Sequence, residues 1–233
     1  MTPRVIAIDG PAASGKSSTA ALVAQGLGWA HLDSGALYRA LTLAALDNIG
    51  EKGEGRGTSW SGQRIVALAE ELPVRLVLVD DVFRPEVAGV DVEDAIRSER
   101  VTRHVSAVAA IPEVRAWVNA RQREAAAQHP SGVVVDGRDI GTVVFPEAPL
   151  KVFLTATPDE RARRRLSQWG RAIGPGEVQR ESQALAARDE ADTTRPIAPL
   201  KPARDAVLLD STTLTLEEQV RRVVELARRR LPG

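Results

Sequence analysis

Apolar and polar positions along this chain fall into blocks whose period switches several times. Val5 to Ile8 is an unbroken apolar run ending at Asp9-Gly10, the pattern of a strand buried on both faces. A helical pattern over 16–27 follows, with Gly28 as its stop. Ser34 is placed to cap a second helix that carries Tyr38, Arg39 and an apolar face through Leu46. Residues 51–62, rich in glycine and polar residues, read as a flexible connection to a short helix over 64–71. After Pro73 the period changes: VRLVLVDDVFRPEVAGVDV reads as two or three short strands with a turn at Asp80-Asp81, and Pro85 suggests an edge strand. From Glu93 to Gln128 the pattern is helical again, broken at Pro112, which suits the first residue of a new helix. VVVD (133–136) and LKVFL (150–154) are further buried strands. Thr157-Pro158-Asp159-Glu160 has the form of a capping box opening another helix, DAVLLD (205–210) is a last strand, and 216–231 a last amphipathic helix. Strands alternating with helices imply an α/β fold with a mostly parallel sheet covered on both faces, carrying a small antiparallel β insert.

Composition narrows the classes. Lys+Arg and Asp+Glu are both 31, so the molecule as a whole exerts no long-range pull on nucleic acid or an anionic membrane, and any anion site must be local. Lysine is confined to Lys16, Lys52, Lys151 and Lys201, leaving nearly all positive charge on arginine. The absence of cysteine excludes disulfides and thiolate metal sites. No apolar run approaches the roughly 20 residues of a membrane span, and the apolar stretch near the start is too short for a secretion signal, so a cytoplasmic protein is expected.

The segment Gly10-Pro11-Ala12-Ala13-Ser14-Gly15-Lys16-Ser17 fits G-x-x-x-x-G-K-[ST] between a strand and a helix, and Ser18 continues it. Glycines let backbone N–H groups turn in around a phosphate, and the helix beginning at Lys16 adds its positive end. Lys16 is expected to reach the β- and γ-phosphates of ATP, and Ser17 to ligand Mg²⁺. A chance glycine-rich turn could share the spacing, but here strand, spacing, Lys-Ser and helix coincide. Three further clusters concern the destination of the phosphoryl group. LDSGALYR (32–39) puts Ser34, Tyr38 and Arg39 at a helix entrance, a second anion site or merely a cap. DGRDIG (136–141) follows a strand, where open α/β sheets bind ligands, so Asp136, Arg138 and Asp139 face a cleft or pair within their own turn. Between Arg161 and Arg195 stand eight arginines and no lysine. Arg161, Arg164 and Arg165 share a helix face by spacing, QWGRAIGPG (168–176) has the composition of a mobile loop, and a later helix carries Arg188 with Asp192 and Arg195 at i+4 and i+7. Such a run is either a solvated face or an arginine-bearing flap suited to phosphoryl transfer.

Together IDGPAASGKSS, LDSGALYRA, VSAVAAIPEVR, VVVDGRDIGTVVFPEAPLKVFL, ERARRR, ARDEADTTRPIAPL and LLDSTTLTLEEQV resemble the bacterial cytidylate kinase family of P-loop nucleoside monophosphate kinases. The resemblance implies a three-layer P-loop NTPase fold with a five-stranded mostly parallel sheet, an enlarged monophosphate-binding insert and a mobile helical lid. It suggests core segments at 1–62, 105–157 and 196–233, an insert at 63–104 and a lid region at 158–195. It also implies residue roles: Ser34, Tyr38, Arg39, Arg138 and Arg195 in the acceptor site, Ser106, Arg115 and Asp139 around cytosine, Arg188 and Asp192 at the pentose, and Arg161 and Arg164 where the lid meets ATP. Lys16, Arg138 and Arg188 are the candidates to stabilise the transferring group. The partners implied are ATP, with Mg²⁺, and CMP or dCMP, with a monomer expected and no protein or nucleic-acid partner indicated.

The chemistry agrees without the family. An aspartate accepting from the cytosine N4 amino group selects cytosine, because uracil would turn a carbonyl oxygen toward the carboxylate. A phosphomonoester, with its second pKa near 6, is already an anionic nucleophile at neutral pH and needs no catalytic base. Asp33 and Asp136 are both candidates to join Ser17 at the metal. Kinases of UMP or of a small metabolite remain open, as does a nucleotide-driven switch or ATPase. An N-K-x-D guanine motif is absent, and with 3% aromatic residues there is little to stack on bases.

Overall fold

The apolar runs predicted as buried strands form one parallel sheet. β1 (Val5–Asp9) lies between β6 (Val133–Gly137) and β7 (Leu150–Thr155), and β8 (Val207–Asp210) pairs with β7, all parallel. β2 (Ala30–Asp33) runs beside β6, giving the order β2-β6-β1-β7-β8, and the Ala30 N–H donates to the Gly132 carbonyl at 3.0 Å. Registers Val5↔Val133 and Ile6↔Leu150 bring Asp9 level with Gly137 and Phe153, so the C-terminal ends of the three central strands open at one level. Ile6 and Ile8 are fully buried. Each contributes about 1.5–3 kcal/mol in removing its side chain from water, which explains the unbroken apolar pattern.

The structure, a computed structural model, describes residues 4–50, 60–171 and 173–231. The chain divides into two units, Met1–His31 with His129–Gly233, and Leu32–Gln128. In the first unit, α1 (Lys16–Leu27) and α8 (Leu216–Arg230) cover the sheet through Val23, Ala24, Val223 and Ala227. α1 ends, as predicted, on Gly28, whose φ of 63° is the left-handed conformation of a helix stop. α6 (Pro158–Gln168) and α7 (Pro175–Thr194) pack together through Leu166, Val178 and Leu185, with Ala12 and Ala162 in the same cluster. The capping box expected at Thr157 does not form: Glu160 is drawn to Arg164 (2.9 Å), and the Thr157 N–H donates to the Thr212 hydroxyl at 3.0 Å. A full box does form at Thr215 and Glu218, where α8 begins.

In the second unit, α2 (Ser34–Asn48), α4 (Glu99–Ala109) and α5 (Pro112–Gln128) surround a core that includes Leu37, Leu41, Ile65, Ile96, Val108 and Val118. Ser34 is the first residue of α2 rather than its cap. Asp33 takes that place and accepts the Gly35 N–H at 2.8 Å, a charged acceptor suited to the positive helix end. α3 (Gly62–Glu71) is capped by Ser61, and of the connection expected at 51–62, residues 51–59 lie outside the described residues. β3 (Val74–Val79) and β4 (Val82–Val87) form an antiparallel hairpin, and β5 (Val90–Asp91) pairs with β4. Asp80 and Asp81 turn it with φ of 49° and 59°, as a two-residue hairpin turn requires. β4 therefore has a neighbour on each side and is not the edge strand Pro85 suggested. Counting from the turn, Pro85 sits opposite Leu76 in a pair that exchanges no ladder bonds, so its missing N–H leaves the hairpin intact. The helix expected from Glu93 starts later: a 3-10 turn at Ala95–Arg97 precedes Ser98, which caps α4 by accepting the Val101 N–H.

Candidate functional site

Residues 10–17 turn from β1 into α1 in a tight loop. A Cβ on Gly10 would stand 2.1 Å from the Leu154 carbonyl oxygen, so the first residue of the loop can carry no side chain. Ala13 and Gly15 have φ of 58° and 92°, and these left-handed positions fold the backbone inward. Gly15 caps α1 without a side-chain acceptor, which leaves the first N–H groups of the helix to an anion. Lys16 is buried and its Nζ donates across the loop to the Pro11 carbonyl at 3.3 Å. Ser14 is fully buried, its hydroxyl without a protein partner, while Ser18 is exposed.

Of the two carboxylates considered for the metal, the structure brings Asp136 to the loop. Asp136 is 1% exposed at the end of β6; its Oδ2 accepts the Ser17 hydroxyl at 2.5 Å and its Oδ1 lies 2.9 Å from Nε2 of His31 on β2. Asp33 is occupied in the other unit, with Gly35 and with Arg97 at 2.9 Å. Among the described residues no group of three or more His, Asp or Glu side chains is arranged as a metal cluster. The Ser17 and Asp136 oxygens nevertheless make a hard donor pair beside the phosphate loop, the kind of minimal protein contribution with which Mg²⁺ is held when phosphates supply the rest. Asp9, buried at the end of β1, accepts the Ile140 and Gly141 N–H groups, both at 2.8 Å. Burial pushes its carboxyl up to about 6 despite those bonds, and Asp139 nearby adds to the rise.

The arginines of the 161–195 run divide: Arg163, Arg171 and Arg180 are exposed, whereas Arg161 and Arg164 turn to the phosphate loop. Arg161 is buried, donating to the carbonyls of Ala156 (3.2 Å) and Ala12 (3.1 Å) and pairing with Asp189, whose other oxygen accepts the Ala12 N–H at 3.2 Å. Arg164 donates to the Ser14 carbonyl at 3.2 Å and doubly to Ser211. The shared face expected for Arg161, Arg164 and Arg165 is therefore divided: the first two brace the loop backbone, and Arg165 stacks on Trp169 with its guanidinium 4.7 Å from the ring centre. Asp189 and Ser211 were missed in the sequence. Asp189 sits beside Arg188 in a charged run where nothing distinguishes one acid from the next.

Arg138 does not pair within its own turn. Its Nε donates to Asp192 on α7 at 2.9 Å, and Arg195 lies 3.5 Å from Asp139 and 3.9 Å from Asp192. Four residues predicted at the acceptor thus form one charge-balanced array, its aspartates buried and its arginines half-buried, and Arg188 lies one turn before Asp192 on α7. In the other unit Ser34, Tyr38 and Arg39 line the first turns of α2. The Ser34 carbonyl accepts from Gln122 at 3.1 Å, the Tyr38 hydroxyl lies 3.5 Å from Asn119, and Arg39 donates to Ile96 (3.1 Å) and Thr102 (2.9 Å). Arg115 is 3% exposed, donates to the Ala109 carbonyl at 3.0 Å and lies over the Tyr38 ring at 5.5 Å. Ser106 is half-buried on α4, one turn before Ala109.

The family model for cytidylate kinase matches residues 6–229. The chain belongs to the cytidylate kinase family. Relatives named cytidylate kinase include those of Pseudomonas fluorescens strain SBW25, 45% identical over 98% of this chain and 97% of the relative, and of Azotobacter vinelandii, 46% identical over 99% and 98%. That of Stutzerimonas stutzeri is 46% identical over 98% and 97%. Among solved structures, a gluconokinase from Sinorhizobium meliloti aligns at 19% identity and a TM-score of 0.46 over 98% of this chain and 94% of its own, a likeness too distant to say more. Among the described residues no helix is long and apolar enough to cross a membrane.

Proposed function

We propose that this protein transfers the γ-phosphoryl group of ATP to CMP or dCMP, releasing ADP and CDP or dCDP. The observation that carries the reading is an intact phosphate loop, with Lys16 folded over it, in a chain that matches cytidylate kinases from end to end. Backbone N–H groups of residues 13–17 and Lys16 hold the donor phosphates. Ser17 and Asp136 are the residues that would hold Mg²⁺, which when bound would offset the charge of the donor phosphates. Arg161 and Arg164 fix the loop from behind through the Ala12 and Ser14 carbonyls, and lid closure excludes water that would otherwise take the phosphoryl group.

At the acceptor, Ser34, Arg39, Arg138 and Arg195 are assigned to the monophosphate, Ser106, Arg115 and Asp139 to the base, and Arg188 and Asp192 to the pentose. The acceptor oxygen is anionic at neutral pH, so these side chains have only to hold two anions in line. The Arg138–Asp192–Arg195–Asp139 array keeps its arginines at fixed positions before substrate arrives, which lowers the ordering cost of binding.

The test is product analysis with Mg-ATP and, in parallel, CMP, dCMP, UMP, AMP, GMP or no acceptor. CDP and dCDP with little UDP are expected. If every monophosphate fails while ATP still binds, the loop stands as a donor site and the acceptor assignment falls.

A further inference from the structure

Asp136 has two carboxylate oxygens and the structure engages both. Oδ2 takes the Ser17 hydroxyl at 2.5 Å; Oδ1 faces Nε2 of His31 at 2.9 Å. Asp136 is 1% exposed and His31 8%, so water does not supply the second contact. A carboxylate held at one oxygen alone turns about its last torsion, which is broad and roughly two-fold. Held at both, it has one orientation, and that orientation aims Oδ2 at Ser17. The histidine comes from β2, the strand beside β6, and the Ala30–Gly132 backbone bond fixes β2 against the start of that strand.

We propose that His31 is a positioning residue for the metal: its ring Nε2–H donates to Asp136 Oδ1 and thereby presents Oδ2, together with the Ser17 hydroxyl, to the cation that accompanies ATP or ADP. The inference rests on the assignment of Ser17 and Asp136 to the metal. It adds a residue that touches neither substrate nor metal and that the phosphate-loop motif does not contain. A ligand's hydrogen-bond partner in such sites governs metal affinity by roughly 10-fold or more.

The experiment measures Mn²⁺ affinity of the protein–ADP complex by electron paramagnetic resonance, and ADP affinity in EDTA by calorimetry. It compares the wild type with His31→Met, which fills similar space without a donor, and His31→Gln, whose amide retains one. His31→Met is expected to weaken Mn²⁺ binding about 10-fold, to leave metal-free ADP affinity within about 2-fold, and to be largely rescued in His31→Gln. In an Asp136→Asn background, His31→Met should produce no further loss. A lowered melting temperature with unchanged Mn²⁺ affinity would make the contact merely structural and overturn the proposal, as would equal losses in the Met and Gln variants. A wild type whose Mn²⁺ affinity does not respond to Asp136→Asn removes the metal assignment itself, a failure distinct from the other two. If His31→Met does not fold, His31→Leu provides the donor-free member of the comparison.

Discussion

The two units handle charge in opposite ways. In the unit of residues 1–31 and 129–233, charged groups are buried and held against the backbone: Asp9 on two N–H groups, Lys16 on the Pro11 carbonyl, Arg161 on the Ala12 and Ala156 carbonyls. In the unit of residues 32–128, most ion pairs lie outside. Arg100 and Asp47 are 44% and 52% exposed, Arg121 and Glu124 40% and 57%. Exposed pairs of this kind contribute about 0–1 kcal/mol each, whereas a buried charge costs several unless every partner is in place. The first unit thus spends stability on fixed charges, the expected signature of a site that must meet a polyanion with its dipoles already oriented. The second unit mostly does not, and among its described residues Arg115 is the buried exception.

The largest effect should come from the loop. Lys16→Met removes the one ammonium that spans it while keeping the length and apolar stem of the side chain. The turnover number with CMP is expected to fall by about 10³-fold, with the melting temperature nearly unchanged. A fall of less than about 10-fold, measured under saturating substrates, would break the contrast by showing that the buried charges of this unit are structural.

Asp9 sharpens the contrast in stability rather than rate. Its folded-state pKa is raised from 3.8 to about 6, chiefly by burial. The folded protein therefore holds this proton more tightly than the unfolded chain, and folding stability falls as pH rises from about 4 to about 6, by up to ~3 kcal/mol from this group, the cost persisting at higher pH. Asp9→Asn cannot ionise. Denaturant melts between pH 4 and 7 should show the wild type losing stability relative to the variant across that window. A constant difference would mean that Asp9 is ionised throughout.

What the sequence disclosed follows from how local each signal was. The loop 10–17 was legible because strand, glycines, lysine and helix start are consecutive. The central strands β1, β6 and β7 were legible because burial on both faces leaves few polar residues in them, whereas β2 was not read as a strand, its short AHLD run being broken by His31 and Asp33. The caps of α2 and α6 were misread because several acceptors stood side by side, and the choice fell to partners distant in the chain: Arg97 for Asp33, Arg164 for Glu160 and Thr212 for the Thr157 N–H. The choice of Asp136 over Asp33 was illegible for the same reason. Both follow apolar residues at strand ends, and only the pairing of β1 with β6 brings one of them to Ser17. Asp189 and His31 carried no pattern, since their contacts reach across more than 20 residues: Asp189 to Arg161 and to the Ala12 N–H, His31 to Asp136.

Arg115 gives the smallest effect and the finest test of the contrast. It is as buried as Arg161 of the other unit, and its anchors within its own unit include one carbonyl at the α4–α5 junction and the face of Tyr38. A guanidinium carries five N–H donors in a fixed plane, so it can serve that carbonyl and still present an edge to a base acceptor, which a lysine cannot do with the same geometry. Losing a charge-assisted hydrogen bond is worth about 1.5–3 kcal/mol. Arg115→Met should therefore raise KM for CMP by at least ~10-fold while leaving KM for ATP and the turnover number with saturating CMP nearly unchanged. Arg115→Lys should recover little of it. If KM for CMP holds while the melting temperature drops, Arg115 belongs with the structural groups of its unit, and the cytosine assignment passes to Asp139 and Ser106 alone.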